Sequence, residues 1–416
     1  METRTNNLRI LIVSDNATDL FGGEAILPLQ YFRFLRAREV DVWLITHERV
    51  KARLLEIMPN ELQRIFFIPD TSLHIFLNKL GKLLPSRIAT ITTGAVMHLI
   101  TQLYQYRLVK KVIKLHQINI VHEPTPVSAK QPSILFGLGV PVLIGPLNGG
   151  MNFPKAFSYM QNKYENAMYR LVRLLSNIVN VVVPGKLLAD MILVANQRTR
   201  NALPVLITGK VKELVENGVD LQLWNHPKTN HNNPAVKFIY FGRLVDWKCV
   251  DYLIKAIALA HTDKKITLSI VGDGDKKNEL LALVEKLDLT QRVIFHGWVP
   301  QKQCPELLAA ADVLVLPSVR ECGGAVVLEA MAMELPVIAV NWGGPADYVT
   351  EETGILIEPD NVENFTRQLA SAIERLANNA ELRLEMGKAG RKRVLDQFDW
   401  NKKIDSIINI YTDLVK

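Results

Sequence analysis

The stretch PSVRECGGAVVLEAMAMELPVIAVNWGGPADYV, Pro317–Val349, decides the fold. An apolar run ends at Pro317, a glycine-bearing turn follows, and a helix opens near Gly324 and runs to Met333. A second apolar run, Pro336–Val340, then ends at another glycine turn. Short apolar runs bounded by turn residues read as strands buried on both faces, the condition of parallel sheets. Strand, helix and strand in succession make the repeating unit of a doubly wound α/β domain.

Outward from this stretch the same alternation covers most of the chain. Upstream lie strand candidates Lys237–Tyr240, Ile266–Val271, Val293–His296 and Val313–Pro317, with helices expected over Val250–Ala260, Lys277–Leu287 and Pro305–Ala311. Before the polar, Asn- and Pro-rich segment Trp224–Pro234 lies a second block, with strands at Leu8–Val13, Val42–Thr46, Ile118–His122 and Val140–Gly145. Its helices are expected at Ala25–Arg38 and Gln102–His116. A turn-rich break between two such blocks marks a linker. Two α/β domains are predicted, residues 1–220 and 221–397, with an amphipathic helix at 398–416 closing the chain. In open parallel sheets, ligands bind outside the carboxyl ends of the strands, so the chemistry is sought there.

Composition narrows the class. A chain of 416 residues with 48% hydrophobic and 22% charged residues has the balance of a globular protein. Its three cysteines, Cys249, Cys304 and Cys322, are too few and too scattered for a disulfide framework or a zinc cluster. The opening METRTNNLRILIVSD reads as a first strand and not as a secretory leader, so a cytoplasmic location is expected. The net charge is +7, divided as +10 over residues 1–220 and −3 over the rest. Thr71–His122 holds no acid, yet carries Lys79, Lys82, Arg87, Arg107, Lys110, Lys111 and Lys114. Such a stretch is either a solvated helical face or a surface for an anionic membrane. Nucleic acid is disfavoured, because no reading module accompanies the charge. The uncharged run Ile88–Tyr106 contains threonines, glutamines, a histidine and a glycine, which makes it a packed helix and not a membrane span.

Two clusters carry chemistry. In the first, Glu321 precedes the helix start and Glu329 lies inside the helix among Val326, Val327, Leu328, Ala330, Met331 and Ala332. Helix starts leave backbone N–H groups unpaired and favour anions. A carboxylate facing a cleft accepts two hydrogen bonds from a vicinal diol, and a lone acid on an apolar face needs such a reason, since an unpaired buried charge is costly. In the second cluster, FGRLVDWKCVDYLIKAI (Phe241–Ile257), Gly242 permits a tight turn and Arg243 and Lys248 bracket a short loop. Two cations at a strand's carboxyl end can clamp a diphosphate, Arg with a fork and Lys as a point charge.

With these residues the chain resembles the retaining, nucleotide-sugar-dependent glycosyltransferases of GT-B architecture, family 4. The resemblance rests on Glu321 and Glu329 (E-x7-E), on Gly242, Arg243 and Lys248, on ENGVD (Glu216–Asp220), on IVGDGD (Ile270–Asp275) and on GGPADYV (Gly343–Val349). It implies two Rossmann-like domains, the first on the acceptor side and the second binding the nucleotide sugar. It implies that Glu321 holds the donor sugar beside the amides of Gly323, Gly324 and Ala325, that Glu329 binds the ribose, and that Arg243 and Lys248 neutralise the departing diphosphate. Such neutralisation is chemically required of any enzyme that expels this leaving group. Trp298 would lie near the base. LFGGEAILPL (Leu20–Leu29) resembles the family's glycine-rich loop, with Gly22 and Gly23 approaching phosphate and acceptor. INIVHEPTP (Ile118–Pro126) resembles its H-x-H-E-P segment and implies a catalytic place for His122 near the donor sugar, although Ile120 replaces the first histidine. VLIGPLNGGMNFP (Val142–Pro154) puts Asn148 and Gly149 on an acceptor-side loop.

The chain also departs from the family. Glu321-Cys322-Gly323-Gly324 stands where E-G-F-G is common, so donor preference does not transfer. Asp273-Gly274-Asp275 has the form of a metal-binding D-x-D but sits at a post-strand turn, and neither metal nor cofactor is expected. The function expected is transfer of a sugar from a nucleotide sugar to a saccharide or lipid-linked acceptor in cell-envelope or exopolysaccharide synthesis, at the cytoplasmic membrane face. The alternatives are a soluble sugar-phosphate glycosyltransferase, a nucleotide-sugar 2-epimerase, or a non-catalytic subunit that binds a partner transferase.

Overall fold

The structure, a computed structural model, describes residues 7–20, 23–84, 89–161, 163–225 and 235–416. In the first half β1 (Arg9–Val13), β2 (Asp41–His47), β3 (Ile65–Ile68), β4 (Ile120–Glu123), β5 (Val142–Leu147), β6 (Met191–Val194) and β7 (Lys210–Glu213) form one sheet, ordered β3-β2-β1-β4-β5-β6-β7. All its pairings are parallel, with Ile10 opposite Val42 on one side and Ile120 on the other. Leu11, Val13, Ile45, Val121, Ile144 and Ile192 fill one core with Val109 and Val112 of the helix Ala95–His116. That helix begins earlier than its apolar period suggests, running on from a π-helical turn at Thr90–Gly94. Among the described residues no helix is long and apolar enough to cross a membrane.

In the second half β8 (Ala235–Phe241), β9 (Lys265–Val271), β10 (Val293–Gly297), β11 (Val313–Leu316), β12 (Val337–Val340) and β13 (Gly354–Ile357) are ordered β10-β9-β8-β11-β12-β13, again all parallel. Each sheet grows outward in both directions from its first strand. Strand order therefore reverses between β1 and β4 in one sheet and between β8 and β11 in the other, and these are the crevices where such sheets bind ligands.

Two compact units result. One comprises Met1–Gly150, Met168–Glu216 and Lys403–Lys416, and the other Met151–Ala167 and Asn217–Lys402. Met151–Ala167 belongs to the second because Phe157 is buried against Phe365 and Tyr252, with ring centroids 5.0 and 6.0 Å away. The last helix, Trp400–Val415, gives its final turns to the first unit, where Ile404, Ile407 and Tyr411 are buried. Each such apolar side chain contributes about 1.5–3 kcal/mol on burial. The buried Lys403 joins them, its ammonium donating to the carbonyl oxygens of Val215, at 2.7 Å, and Glu216.

Candidate functional site

At the carboxyl end of β8 the chain turns at Gly242, whose N–H donates to the carbonyl of Val271 at 3.0 Å. The Leu244 N–H donates to Asp273 at 2.9 Å and the Tyr240 hydroxyl to the Arg243 carbonyl at 3.0 Å, so the turn is fixed from two sides. Arg243 is left exposed, its guanidinium 6.0 Å from the Trp247 ring centroid. One turn later the Trp247 carbonyl accepts from the Val319 N–H at 3.0 Å and the Ser318 hydroxyl at 3.4 Å. These bonds draw the loops after β8 and β11 together.

Their result is an ion pair between the Lys248 ammonium and the Glu321 carboxylate, whose side chains are 12% and 17% exposed. The Glu321 loop is propped from below as well: its carbonyl accepts from the Gly344 N–H at 2.9 Å. Gly324 then caps the helix Ala325–Ala332 with φ +78°, and a Cβ there would stand 3.0 Å from the Glu321 Cγ, so the position needs glycine. Gly323, Gly324 and Ala325 stand between Glu321 and this helix start. Glu329, in the middle of the helix, is half-buried, and its carboxyl has no hydrogen-bond partner among the described residues. Burial pushes it up to about 7.

The remaining expected residues are dispersed. Trp298, in the loop after β10, is 67% exposed. Asp273 is tied to its own turn, accepting from the Gly274 N–H at 2.8 Å and the Lys277 ammonium at 3.1 Å; the turn's own N–H and then Lys277 hold its carboxyl below the usual range. Gly22 lies outside the described residues, and Gly23 opens the helix Gly23–Arg36 with open space beside its Cα. Asn148 is buried, its side-chain amide donating to Glu216 at 2.6 Å, while the Gly149 N–H donates to the Thr199 hydroxyl at 3.0 Å.

His122 differs most from expectation. Its ring is fully buried inside the first unit, with Nδ1 2.6 Å from the Tyr411 hydroxyl and Nε2 2.6 Å from the Gly145 carbonyl oxygen. Burial lowers its pKa to about 4. Both nitrogens are committed within the unit, so the imidazole stays neutral and its ring is closed to a ligand.

The sequence reading missed a polar cluster in the first unit. Asp15, just past β1, accepts from His98 Nδ1 at 2.7 Å and Gln105 Nε2 at 3.0 Å, and Gln102 Nε2 donates to Glu123, the last residue of β4, at 3.2 Å. A signal was present: His98, Gln102 and Gln105 recur at i, i+4 and i+7, a polar stripe on the buried face of their helix. Elsewhere, ligand-type atoms of His47, Asp70 and His74 lie within 4.8 Å of one another. Arg49 already supplies the cation there, 2.9 Å from His47 Nε2 and 3.0 Å from the Asp70 carboxylate.

Comparison with known proteins agrees with the second unit's geometry. Residues 224–393 match the family model of glycosyl transferases group 1. Over 99% of both chains the protein is 26% identical to the UDP-Gal:alpha-D-GlcNAc-diphosphoundecaprenol alpha-1,3-galactosyltransferase of Escherichia coli. It is 33% identical to the 2-deoxystreptamine glucosyltransferase of Streptomyces kanamyceticus over 40% of this chain and 42% of that one, so this alignment spans less than half of the relative's length. In structure it is similar to the sucrose-phosphate synthase of Thermosynechococcus elongatus, with a TM-score of 0.68 at 21% identity over 98% and 99% of the two chains. With a match to the family model over residues 224–393 and a similar fold along its whole length, the chain resembles the glycosyl transferases of group 1 and has the two-unit GT-B fold.

Proposed function

We propose that the protein moves a sugar, with retention of configuration, from a nucleoside-diphosphate sugar to a saccharide or lipid-linked acceptor in cell-envelope or exopolysaccharide synthesis. The observation that carries the reading is the meeting of Lys248 and Glu321 at the β8–β11 crevice, beside a helix start and a half-buried, unpartnered Glu329. A carboxylate without a partner accepts a ribose diol. Arg243 and Lys248 stabilise the diphosphate, Glu321 holds the sugar hydroxyls with Lys248 as its counter-ion, and the helix start adds N–H groups. The anomeric C–O bond to the diphosphate breaks and a bond to the acceptor oxygen forms on the same face. The acceptor's hydroxyl proton passes to the departing phosphate oxygen. His122 acts as a positioning residue that fixes the end of β4, and Asn148 and Gly149 shape the acceptor-side loop. The relative from Escherichia coli, named for a diphosphoundecaprenol-linked acceptor, supports the lipid-linked class.

A membrane surface fits the first unit. The helix Ser72–Gly81 exposes Leu73, Ile75, Phe76 and Leu80, and Val96, Leu99 and Leu103 are exposed on the helix Ala95–His116. Lys79, Lys82, Arg107, Lys110, Lys111 and Lys114 are exposed around them; Arg87 lies outside the described residues. Cations near an anionic bilayer contribute about 1 kcal/mol each. The protein works in the cytoplasm, at the inner face of the membrane. A panel of nucleotide sugars tests the transfer reading: at least one is consumed with release of nucleoside diphosphate, and the product anomer keeps the donor's configuration. Inversion, or consumption of none, would refute it.

A further inference from the structure

His47, Asp70 and His74 form a cluster at the carboxyl ends of β2 and β3 that no step above uses. His47 ends β2 and lies opposite Ile68, the last residue of β3. Asp70 follows two positions on, and His74 stands in the first turn of the helix Ser72–Gly81. The two histidines are 1% and 2% exposed, whereas the Asp70 side chain is 31% exposed. His47 Nε2 and the Asp70 carboxylate are 3.5 Å apart. Tetrahedral zinc holds nitrogen and oxygen ligands at about 2.0–2.2 Å, which puts neighbouring ligand atoms roughly 3.4 Å apart. The first pair already has that spacing, and all three ligand atoms lie within 4.8 Å of one another.

Hydrogen bonds decide where each ring carries its lone pair. Arg49 Nη2 donates to His47 Nε2 at 2.9 Å, so this nitrogen is an acceptor. Thr101 gives its hydroxyl proton to the Met97 carbonyl at 2.9 Å and therefore accepts from His74 Nε2, 3.1 Å away. The His74 lone pair is then on Nδ1, where the Thr71 N–H and hydroxyl point, at 3.3 and 2.7 Å. Metal-bound histidines are held in this way, the other ring nitrogen donating to a second group. Burial and then Arg49 lower the pKa of both rings, that of His47 to about 4, so both are neutral near pH 7.

Arg49 stands in for a metal. Its single nitrogen Nη2 bonds both His47 Nε2 and the Asp70 carboxylate, at 2.9 and 3.0 Å. The Arg49 side chain is 36% exposed and can turn out into water without opening the core. Asp70 is held separately, its N–H donating to the Glu48 carboxylate at 2.7 Å. With Arg49 turned out, Glu48 and Asp70 leave the cluster negative. Two imidazoles and one carboxylate suit zinc and its neighbours, whereas magnesium and calcium prefer oxygen alone.

We infer that His47 Nε2, His74 Nδ1 and Asp70 bind a divalent ion of the zinc class, with water as fourth ligand, and that Arg49 is an internal plug which the ion displaces. Bound there, the ion ties β2 and β3 to the helix Ser72–Gly81. This site is independent of the transfer reading above. The test uses the full chain without a histidine tag, titrated with Zn²⁺ by calorimetry and followed by thermal unfolding. One Zn²⁺ binds per chain and raises the melting temperature, and EDTA reverses the rise. Arg49→Ala binds Zn²⁺ about tenfold or more tightly than wild type, because the ion no longer competes with the guanidinium. Asp70→Asn and His74→Gln each weaken binding at least as much as loss of an outer-shell partner does, about tenfold or more. Asp70 is partly exposed, and Gln at the third helical position preserves the capping box with Thr71, so both variants keep the fold. If Zn²⁺ stabilises neither wild type nor Arg49→Ala, or if Asp70→Asn and His74→Gln leave its binding unchanged, the site is refuted. Equal affinity in wild type and Arg49→Ala would overturn the plug.

Discussion

Changing Lys248 to Met separates the two jobs of the ion pair. With both side chains mostly withdrawn from water, an effective dielectric of about 20 gives unit charges roughly 4 Å apart about 4 kcal/mol of attraction. Removing one partner of a fully buried pair costs about 3–5 kcal/mol, and here the residual exposure reduces that to about 2. The catalytic cost is separate: one cation lost from the departing diphosphate is comparable to one oxyanion donor, about 3 kcal/mol, or roughly a hundredfold in kcat. Denaturant unfolding and steady-state kinetics read the two terms. The double variant Lys248→Met, Glu321→Gln removes both charges and regains most of the lost stability, but none of the lost kcat. If the single variant keeps kcat within about threefold of wild type, or if the second change restores it, Lys248 serves Glu321 and not the leaving group.

Four further outcomes are expected. Arg243→Ala lowers kcat by about two orders of magnitude, and a change in KM alone would remove Arg243 from the leaving-group clamp. Because burial raises the Glu329 carboxyl to about 7, the empty folded chain binds more protons than the unfolded one between the ordinary carboxyl range and 7, and stability falls as pH rises through that window. Glu329→Gln therefore stabilises the empty chain at about pH 8, by up to about 3 kcal/mol, and abolishes the rise of nucleotide affinity with pH near 7; an unchanged melting temperature with a pH-dependent affinity would contradict this. Activity survives EDTA, because Arg243 and Lys248 supply the cations, and loss with rescue by Mn²⁺ or Mg²⁺ would overturn that. Vesicles with anionic lipid sediment the protein at low salt but not at high salt, and either Lys110, Lys111 and Lys114 changed together to Glu or Phe76→Ser weakens binding; a protein left in the supernatant at low salt is not membrane-bound through this face.

Most of the parallel strands with both faces buried were legible, because an apolar run is what that environment requires. β7, KVKE, was not: it is an edge strand with exposed lysines and carries no apolar pattern. β3 and β13 bury only their end residues, which weakens the apolar signal, and β6, buried throughout, was missed as well. In the second unit, Gly242, Arg243, Lys248, Glu321 and Glu329 were legible because their spacing is local to two strand ends. The bonds from Ser318 and Val319 to Trp247 that unite them span some 70 positions, as the 71 between Ser318 and Trp247 shows. His122 shows the limit of a motif. Its sequence neighbourhood points to the reaction centre, but Tyr411, 289 positions away, closes over the ring. Asp15 and His98, 83 positions apart, meet only because β1 and the helix Ala95–His116 pack together, and no motif announced them.

The central claim is that the β8–β11 crevice binds a nucleoside diphosphate without metal. Calorimetric titration of the wild-type chain with a panel of nucleoside diphosphates in EDTA tests it most directly. At least one should bind with one site per chain, and Arg243→Ala and Glu329→Ala should each weaken it by about tenfold or more, at about 1.4 kcal/mol per decade. Failure of every nucleoside diphosphate to bind, or binding that neither substitution weakens, would contradict the account.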